Sequence, residues 1–403
     1  MFLSDQRWSE CIQGRPVPRL TADAVCLIGV LEGEGCGPEV ISACLRVMDA
    51  LEAVGLCKFQ TRRGGPIGLA AEQQHGTAFT AEVMEFCRDV FANGGALLHG
   101  AGGGRFVYDL RRHFDLFCKI CPVRVCEELG NAGRLKPEHL AGVDIVIVRE
   151  NCAGVYQGRW SEGVASKGGR TAEHSFSYSE QEVRRIVEVA VRISQRRRGE
   201  LTVVVKEGGV PAITKLWRDC ALDIAAAAGI KARMMNVDYA AYGLLQHARQ
   251  FDVVVAPNLF GDVLVDISGV LLGSRALGYS GNFSSGTAAV YQTNHGAAYD
   301  LGGQGKANPA GQIFSLAMLL RESFGLLDAA EVIERAVRAI WRQGWRTAEL
   351  EEPGCRLAGT REMGELVADA VMAIAHETGI GVTGNSHADA DDLHETSPHE
   401  RAG

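Results

Sequence analysis

Residues 251–266, FDVVVAPNLFGDVLVD, decide the fold class of this chain. The apolar run Val253–Val255 predicts a short buried β-strand that ends before the Pro-Asn pair at 257–258. The next residues have helical spacing, which places Asp262 and Asp266 at i and i+4 on one helical face. A strand that leads directly into a helix is the unit from which α/β proteins are built.

This strand–loop–helix unit recurs along the chain. The residues from 178 to 198 have the clearest helical periodicity, and three arginines near its end suit a helix C-terminus better than a nucleic-acid site. Alternation of strands and helices predicts an α/β fold with a largely parallel sheet. Further apolar runs that predict strands lie at residues 25–31, 96–98, 143–148 and 201–205.

Polar residues fall at the ends of three predicted strands, where parallel sheets bind ligands. They are Arg149, Lys206 and Asn258. The acidic pair Asp262 and Asp266 follows directly. One reading of that pair is a solvated acidic face, since two like charges at this spacing cost only a few tenths of a kcal/mol. Its apolar neighbours and its strand-end position favour the other reading, a site for Mg²⁺ or Mn²⁺, which prefer oxygen ligands.

Composition narrows the class of protein. A chain of 403 residues exceeds what one hydrophobic core usually supports, so we expect two domains. The formal net charge of −8 argues against nucleic acid or an anionic membrane as the main partner. No signal peptide or membrane-spanning run is apparent, and we expect a cytoplasmic enzyme. Residues 383–403 are polar and unpatterned, which predicts a disordered tail.

The twelve cysteines are scattered along the chain. Cys118, Cys121 and Cys126 come closest to the spacing of a zinc site, yet no second Cys or His pair lies near them. We therefore expect reduced thiols in the core rather than a zinc site.

Residues 294–309, NHGAAYDLGGQGKANP, combine small residues with a few polar ones. His295 and Asn308 offer directional hydrogen bonds. Asp300 can accept from a ribose diol and would repel a 2′-phosphate, which favours NAD over NADP. Small residues allow backbone to approach a large flat ligand closely; they are Gly296, Ala297, Ala298, Gly302, Gly303 and Gly305.

Four motifs in this order resemble the isocitrate/3-isopropylmalate dehydrogenase family, the metal-dependent β-decarboxylating dehydrogenases. They are GEGCGPEV at 33–40, REN at 149–151 with Tyr156, NLFGD at 258–262 with Asp266, and HG through ANP at 295–309. The resemblance covers roughly residues 24–380. It implies a two-domain α/β fold of the isopropylmalate dehydrogenase type, which is not a Rossmann fold.

The resemblance also implies how the domains are arranged. A large NAD-binding domain would contain residues 1–116 and 273–382, and a central dimerisation domain would contain residues 117–272. The active site would lie between the domains and take residues from the second subunit of a homodimer.

Several residues acquire roles through the resemblance. Asp262, Asp266 and, from the second subunit, Asp238 match the metal ligands. Tyr156 and the partner's Lys206 match the catalytic pair. Lys206 would help remove the proton of the substrate's 2-hydroxyl group, and Tyr156 would protonate the enol left after loss of CO2. The cofactor-binding residues would be His295, Gly296, Ala297, Asp300 and Asn308.

The substrate-binding positions depart from the family pattern. Arg111 and Arg149 match two of the three family arginines, but Cys121 stands at the third. Loss of a bidentate carboxylate ligand weakens binding by roughly 2 kcal/mol or more. The residues that could replace the charge are Arg105, Arg112 and Lys119. Further departures are Gly208, Gln292 and Glu34, which stand where the family has asparagine, glutamate and aspartate.

These observations favour NAD- and Mg²⁺- or Mn²⁺-dependent oxidative decarboxylation of an unusual 3-substituted malate. Two alternatives stay open. One is oxidation without decarboxylation, as in tartrate-type relatives. The other is a regulatory subunit that binds ligands without turnover.

Overall fold

The structure is a computed structural model that describes residues 7–380. The predicted disordered tail at residues 383–403 lies outside this range. The strands are β1 (Val25–Leu31), β2 (Lys58–Arg63), β3 (Ala96–His99), β4 (Cys118–Arg124), β5 (Asp144–Glu150), β6 (Arg159–Val164), β7 (Arg170–Ser175), β8 (Glu200–Val205), β9 (Lys231–Asn236), β10 (Val253–Ala256), β11 (Tyr279–Phe283), β12 (Ala289–Thr293), β13 (Trp345–Arg346) and β14 (Arg356–Leu357).

The α-helices are α1 (Gly37–Ala53), α2 (Gly68–His75), α3 (Ala81–Ala92), α4 (Phe106–His113), α5 (Pro137–Leu140), α6 (Glu180–Gln195), α7 (Pro211–Ala227), α8 (Val237–Gln246), α9 (Asn258–Leu272), α10 (Ala310–Leu319), α11 (Leu327–Arg342) and α12 (Thr360–Thr378). A π-helical turn, Leu320–Phe324, follows α10. Short 3₁₀ turns lie at Trp8–Cys11, Glu127–Leu129, Val155–Gln157, Ala248–Gln250, Arg275–Leu277 and Ala348–Leu350.

All five strands predicted from apolar runs are present, and the α/β class is confirmed. The predicted helix between residues 178 and 198 is α6. Its N-cap is Ser179, whose hydroxyl forms a capping box with the Glu182 carboxylate. At its other end, Arg197 Nε donates to Asp252 Oδ1 at 2.7 Å, so part of the basic run is tied to a buried aspartate.

Ten strands form one sheet in the order β2-β1-β3-β12-β11-β4-β5-β10-β8-β9. Most neighbours are parallel, but β11 is antiparallel to both β12 and β4, and β4 is antiparallel to β5. Two sets of strands therefore run in opposite directions. One set is β1, β2, β3, β4 and β12, and the other is β5, β8, β9, β10 and β11. The sequence predicted a largely parallel sheet and gave no sign of this reversal at its centre.

The hairpin of β6 and β7 forms a separate two-stranded sheet. In the hairpin of β6 and β7 every residue is exposed on both faces. All twelve cysteines are free thiols, and nine of them are buried, as the sequence predicted. Between residues 7 and 380, no helix has the length and apolar character needed to cross a membrane.

Candidate active site

The centre of the site is a contact between the end of β5 and the beginning of α9. Arg149 is 1% exposed, and its Nε and Nη2 atoms donate to Asn258 Oδ1 at 3.1 and 2.7 Å. Its Nη1 atom donates to Asp262 Oδ1. A Cβ atom at Gly261 would lie 2.8 Å from the Arg149 side chain, so glycine at this position lets the arginine lie against the helix.

Tyr156 reaches the same aspartate from the short turn after β5. Its Oη atom donates to Asp262 Oδ2 at 2.8 Å, and the Tyr108 ring lies 5.0 Å from its own. Burial alone would raise the pKa of Asp262, but Arg149, Lys119 and the Tyr156 hydroxyl together hold it below its ordinary value. The pKa of Tyr156 is raised by burial and by the Asp262 charge, so this hydroxyl keeps its proton.

Two further cations are buried beside this contact. Arg111, on α4, is 5% exposed, and Lys119, on β4, is 2% exposed. Lys119 lies directly opposite Arg149 in the β4–β5 pair. Neither Arg111 nor Lys119 makes a side-chain hydrogen bond or ion pair with any residue between 7 and 380.

Burial is the main cause that lowers the pKa of both groups. It lowers the pKa of Arg111 to about 10, with the Arg149 charge as the second cause. It lowers the pKa of Lys119 to about 8, and the Arg111 charge adds to that shift. One carboxylate, Asp262, thus faces three buried cations. Since an unpaired buried charge is costly, this excess of positive charge suits an anionic ligand.

Cys121 supplies no charge to this cluster. The residue is fully buried, and its Sγ atom donates to Asn294 Oδ1 at 3.8 Å. Burial raises the pKa of the thiol, so it remains neutral. The position expected to hold a third arginine therefore holds a small neutral side chain.

The other predicted metal ligands lie apart within one chain. Asp266 follows Asp262 by one turn of α9, as predicted, and accepts from Arg275 Nη2 at 2.7 Å. Asp238, at the start of α8, accepts from Lys206 Nζ at 2.9 Å on an exposed surface. Over residues 7–380, no group of three or more acidic, histidine or cysteine side chains is placed to hold a metal.

The predicted cofactor segment packs against the loop after β1. The Ala297 carbonyl accepts from the Cys36 amide at 2.8 Å, and a Cβ atom at Gly35 would lie 2.1 Å from that carbonyl oxygen. Since Gly35 also has φ of +57°, a side chain here would be strained as well as crowded. His295 Nδ1 lies 2.8 Å from the Gly296 carbonyl oxygen, and its buried Nε2 atom has no partner.

The remaining cofactor candidates differ in their surroundings. Asp300 is exposed, and its carbonyl accepts from Gln304. Asn308 is buried; its Oδ1 atom accepts from the Ala310 amide at 2.9 Å and its Nδ2 atom donates to Glu349 at 2.9 Å. The contact with Ala310 lies at the first residue of α10, and a cofactor contact of the Asn308 side chain stays a prediction.

Glu34 has a role that the sequence analysis missed. Its Oε2 atom accepts from the amides of Leu69 and Gly103 at 3.1 and 2.8 Å, and from Tyr299 Oη at 3.0 Å. Its Oε1 atom accepts from the Ala70 amide at 2.7 Å. One carboxylate thus joins the loop after β1, the start of α2, the glycine loop after β3 and the cofactor segment. The only available sign was its place within GEGCGPEV.

The fold and these residues define a class of protein, and comparison with known proteins agrees. Residues 27–367 match the family model described as isocitrate/isopropylmalate dehydrogenase. The chain belongs to this family of decarboxylating dehydrogenases and is an oxidoreductase.

Individual relatives cover most of the chain. It is 36% identical over 367 residues to 3-isopropylmalate dehydrogenase of Carboxydothermus hydrogenoformans, covering 87% of this chain and 96% of that protein. It is 37% identical over 360 residues to the enzyme of the same name from Chromobacterium violaceum, covering 85% and 99%.

Solved structures have the same fold. Isocitrate dehydrogenase from Methylococcus capsulatus superposes with a TM-score of 0.76 at 28% identity, covering 86% of this chain and 99% of that one. The TT0538 protein from Thermus thermophilus gives a TM-score of 0.77 at 24% identity, covering 94% and 76%, which bears on the fold alone. The predicted family and fold type are confirmed.

Proposed function

We propose that this chain is an NAD- and Mg²⁺- or Mn²⁺-dependent dehydrogenase that oxidises and decarboxylates a 3-substituted malate. The observation that carries this proposal is the buried excess of cations around Asp262. Arg111 and Lys119 have no carboxylate partner in the described chain, and a substrate with two anionic groups would provide one for each. A neutral alcohol would leave both charges buried and unpaired.

The oxygen ligands of α9 fit a hard divalent cation. Asp262 and Asp266 lie on one face of the helix, and carboxylates are the ligands that Mg²⁺ and Mn²⁺ prefer. Asp262 is paired with Arg149 and Asp266 with Arg275. A bound cation would have to replace the arginine in each pair. Asp238 would complete the site from a second copy of the chain.

An exposed face of α8 and α9 supports the homodimer that this requires. The two helices contact each other, and Val263 and Val270 lie seven residues apart on one face of α9, both exposed. Tyr239 and Tyr242 of α8 are also exposed, with ring centroids 6.2 Å apart. Apolar surface of this kind marks protein–protein contacts. The Lys206–Asp238 pair lies at this surface, so both side chains would enter the partner's site together.

We propose the family's division into domains for this chain as well, with residues 1–116 and 273–382 in the large domain and residues 117–272 in the central one. Residues on α4, β4, β5 and α9 that surround Asp262 come from both sides of the boundary near residue 116. The active site would thus lie between the domains.

The residues of this chain divide the chemistry among them. Arg111 and Arg149 would bind the carboxylates, and the partner's Lys206 would accept the hydroxyl proton, directly or through water. A bound divalent cation would polarise the hydroxyl and then the ketone, and NAD would accept the hydride. Tyr156, whose raised pKa keeps it protonated, would donate its proton to the enol carbon after CO2 leaves.

The glycine-lined contact between the loop after β1 and the cofactor segment supports NAD as the cofactor. Gly35 allows the two segments to meet without a side chain between them, and the unpartnered Nε2 atom of His295 is available to a ligand. Asp300 is exposed beside them and would accept from a ribose diol.

NADH formation with a panel of acids tests the proposal. The panel is isocitrate, isopropylmalate, homoisocitrate, tartrate, malate and phosphonate-bearing malate analogues, each with Mg²⁺ or Mn²⁺ and with NAD or NADP. We expect one acid to reduce NAD, with CO2 released in equal amount and all turnover lost with a chelator. NADH without CO2 would indicate the tartrate-type reaction. Binding of acids without any NADH would indicate the regulatory subunit.

A further inference from the structure

We propose that Lys119 is the specificity-determining cation that replaces the arginine missing at Cys121, and that it binds an anionic group of the substrate. This inference rests on the proposed function, since it concerns the acid-binding part of the same site. Its geometric basis is the position of Lys119 on β4 and the absence of any protein partner for its charge within residues 7–380.

Lys119 and Cys121 point to the same face of β4. Residues two apart on a strand share a face and lie ~6.6 Å apart, which a lysine side chain can span. On the neighbouring strand Lys119 is directly opposite Arg149, whose side chain lies on that same face. A cation at position 119 therefore belongs to the same cluster around Asp262 as a cation at position 121 would.

Of the two other candidates for this role, one has protein partners and the other is exposed. The Arg105 guanidinium lies 4.8 Å from the Trp160 ring centroid, donates to the Tyr156 carbonyl at 3.4 Å and pairs with Asp109 at 3.5 Å. Arg112 is exposed, beside buried Arg111 on α4. Lys119 alone among the three is buried beside Arg149.

The energetic cost of this arrangement also indicates a ligand. Like charges directly opposite each other on two strands destabilise a sheet, and a lysine that is only 2% exposed and lacks a side-chain partner adds to that cost. A lysine with a purely structural role would be expected to have a carboxylate partner. Between residues 7 and 380, the Lys119 side chain has neither a hydrogen bond nor an ion pair, so its charge favours ligand binding at the expense of stability.

The identity of the cation has consequences for the substrate. An arginine presents a planar, bidentate donor pair to a carboxylate, whereas a lysine presents a compact point charge with three donors. The cysteine at position 121 is also shorter than an arginine and is neutral. We infer that the acid bound here has a second anionic group placed differently from that of an acid bound by three arginines.

Three substitutions test the role of Lys119. In Lys119→Met the KM for the acid that the wild type oxidises best should rise at least 30-fold, with the KM for NAD unchanged. Lys119→Met/Cys121→Arg should recover at least a third of the lost affinity for one of the acids in the panel. Arg112→Met removes a neighbouring exposed cation and should leave the acid KM within twofold.

Binding of malonate, an unreactive dicarboxylate, separates this inference from the proposed function. Isothermal titration should show Kd at least 10-fold weaker in Lys119→Met and unchanged in Arg112→Met, even if no acid is turned over. Without malonate, the melting temperature of Lys119→Met should equal or exceed that of the wild type, because an unpaired buried charge has been removed. Unchanged malonate affinity, absence of malonate binding to the wild type, or a lower melting temperature in Lys119→Met would overturn the inference.

Discussion

Tyr156 Oη donates a 2.8 Å hydrogen bond to Oδ2 of Asp262, while the other oxygen of that carboxylate accepts from Arg149. These three side chains come from the end of β5, the turn after it and the first turns of α9. A proton donor is thus held beside a carboxylate that is a proposed metal ligand. This relationship links the proton-transfer step to the cation that the same carboxylate would bind.

Replacement of Tyr156 by phenylalanine removes the proposed proton donor. We expect kcat to fall ~100-fold or more, because a positioned general acid contributes about that factor, while the KM for the acid changes little. Tyr108→Phe is the matched control, since its ring lies 5.0 Å from that of Tyr156, and should keep kcat within threefold. Steady-state NADH and CO2 assays measure both. Equal rates for Tyr156→Phe and Tyr108→Phe would contradict the assigned role.

Removal of the Glu34 charge should loosen the cofactor side of the site. Glu34→Gln replaces one acceptor oxygen with a donor that faces backbone amides, and we expect a loss of roughly 2 kcal/mol in the free energy of unfolding. The KM for NAD should rise severalfold. Glu32→Gln breaks only the exposed pair with Arg63 and should cost below about 1 kcal/mol. Urea denaturation measures the free energy of unfolding of the two variants. Similar losses in both would show that the four hydrogen bonds of Glu34 do not stabilise the fold.

The close approach of Gly35 to Ala297 gives a prediction with a built-in control. Gly35→Ala places a Cβ atom 2.1 Å from a backbone oxygen at φ of +57°. Gly303→Ala has a similarly positive φ, +75°, but open space around the new methyl group. The control should lose about 1 kcal/mol of stability from backbone strain alone, and Gly35→Ala distinctly more. Thermal unfolding that is equal in the two variants would refute the packing described for these loops.

Glu150 makes the stability of the chain depend on pH. Burial raises the pKa of this carboxyl to about 7, although the Cys152 and Ala153 amides donate to it and oppose the shift. A raised pKa in the folded state means that the stabilising contribution is complete below about pH 4.5 and is lost as pH rises through 7. The full effect is roughly 3 kcal/mol.

Glu150→Gln should therefore change the pH profile of unfolding. The free energy of unfolding of the wild type, minus that of the variant, should decrease as pH rises from 4.5 to 8. Chemical denaturation at several pH values measures this difference. Parallel profiles would show that Glu150 is ionised at the same pH in the folded and unfolded chain.

Much of the fold could be predicted from local pattern. The strand before Asn258 and the helix that places Asp262 and Asp266 on one face follow from apolar periodicity. The family motifs are evident in the sequence because each is contiguous and they follow one another in the family's order. These features depend on residues close in sequence, so local apolar periodicity and motif spacing are enough to predict them.

The parts that could not be predicted depend on pairing between distant segments. The position of Lys119 opposite Arg149 requires β4 to be antiparallel to β5 with one particular register, which no local pattern specifies. Glu34 accepts from residues on three other segments, so its role appears only in the folded chain. The homodimer, the metal and NAD remain predictions.

Complementation between two inactive variants tests most directly the claim that the active site is shared between two subunits. Asp262→Asn and Lys206→Met should each be inactive as homodimers. In a mixed dimer, one site would combine an intact Asp262 from one chain with an intact Lys206 from the other, and about half of the wild-type activity per dimer should return. The account would be contradicted if the wild type is active but the two variants remain inactive after they are mixed and their subunits exchange.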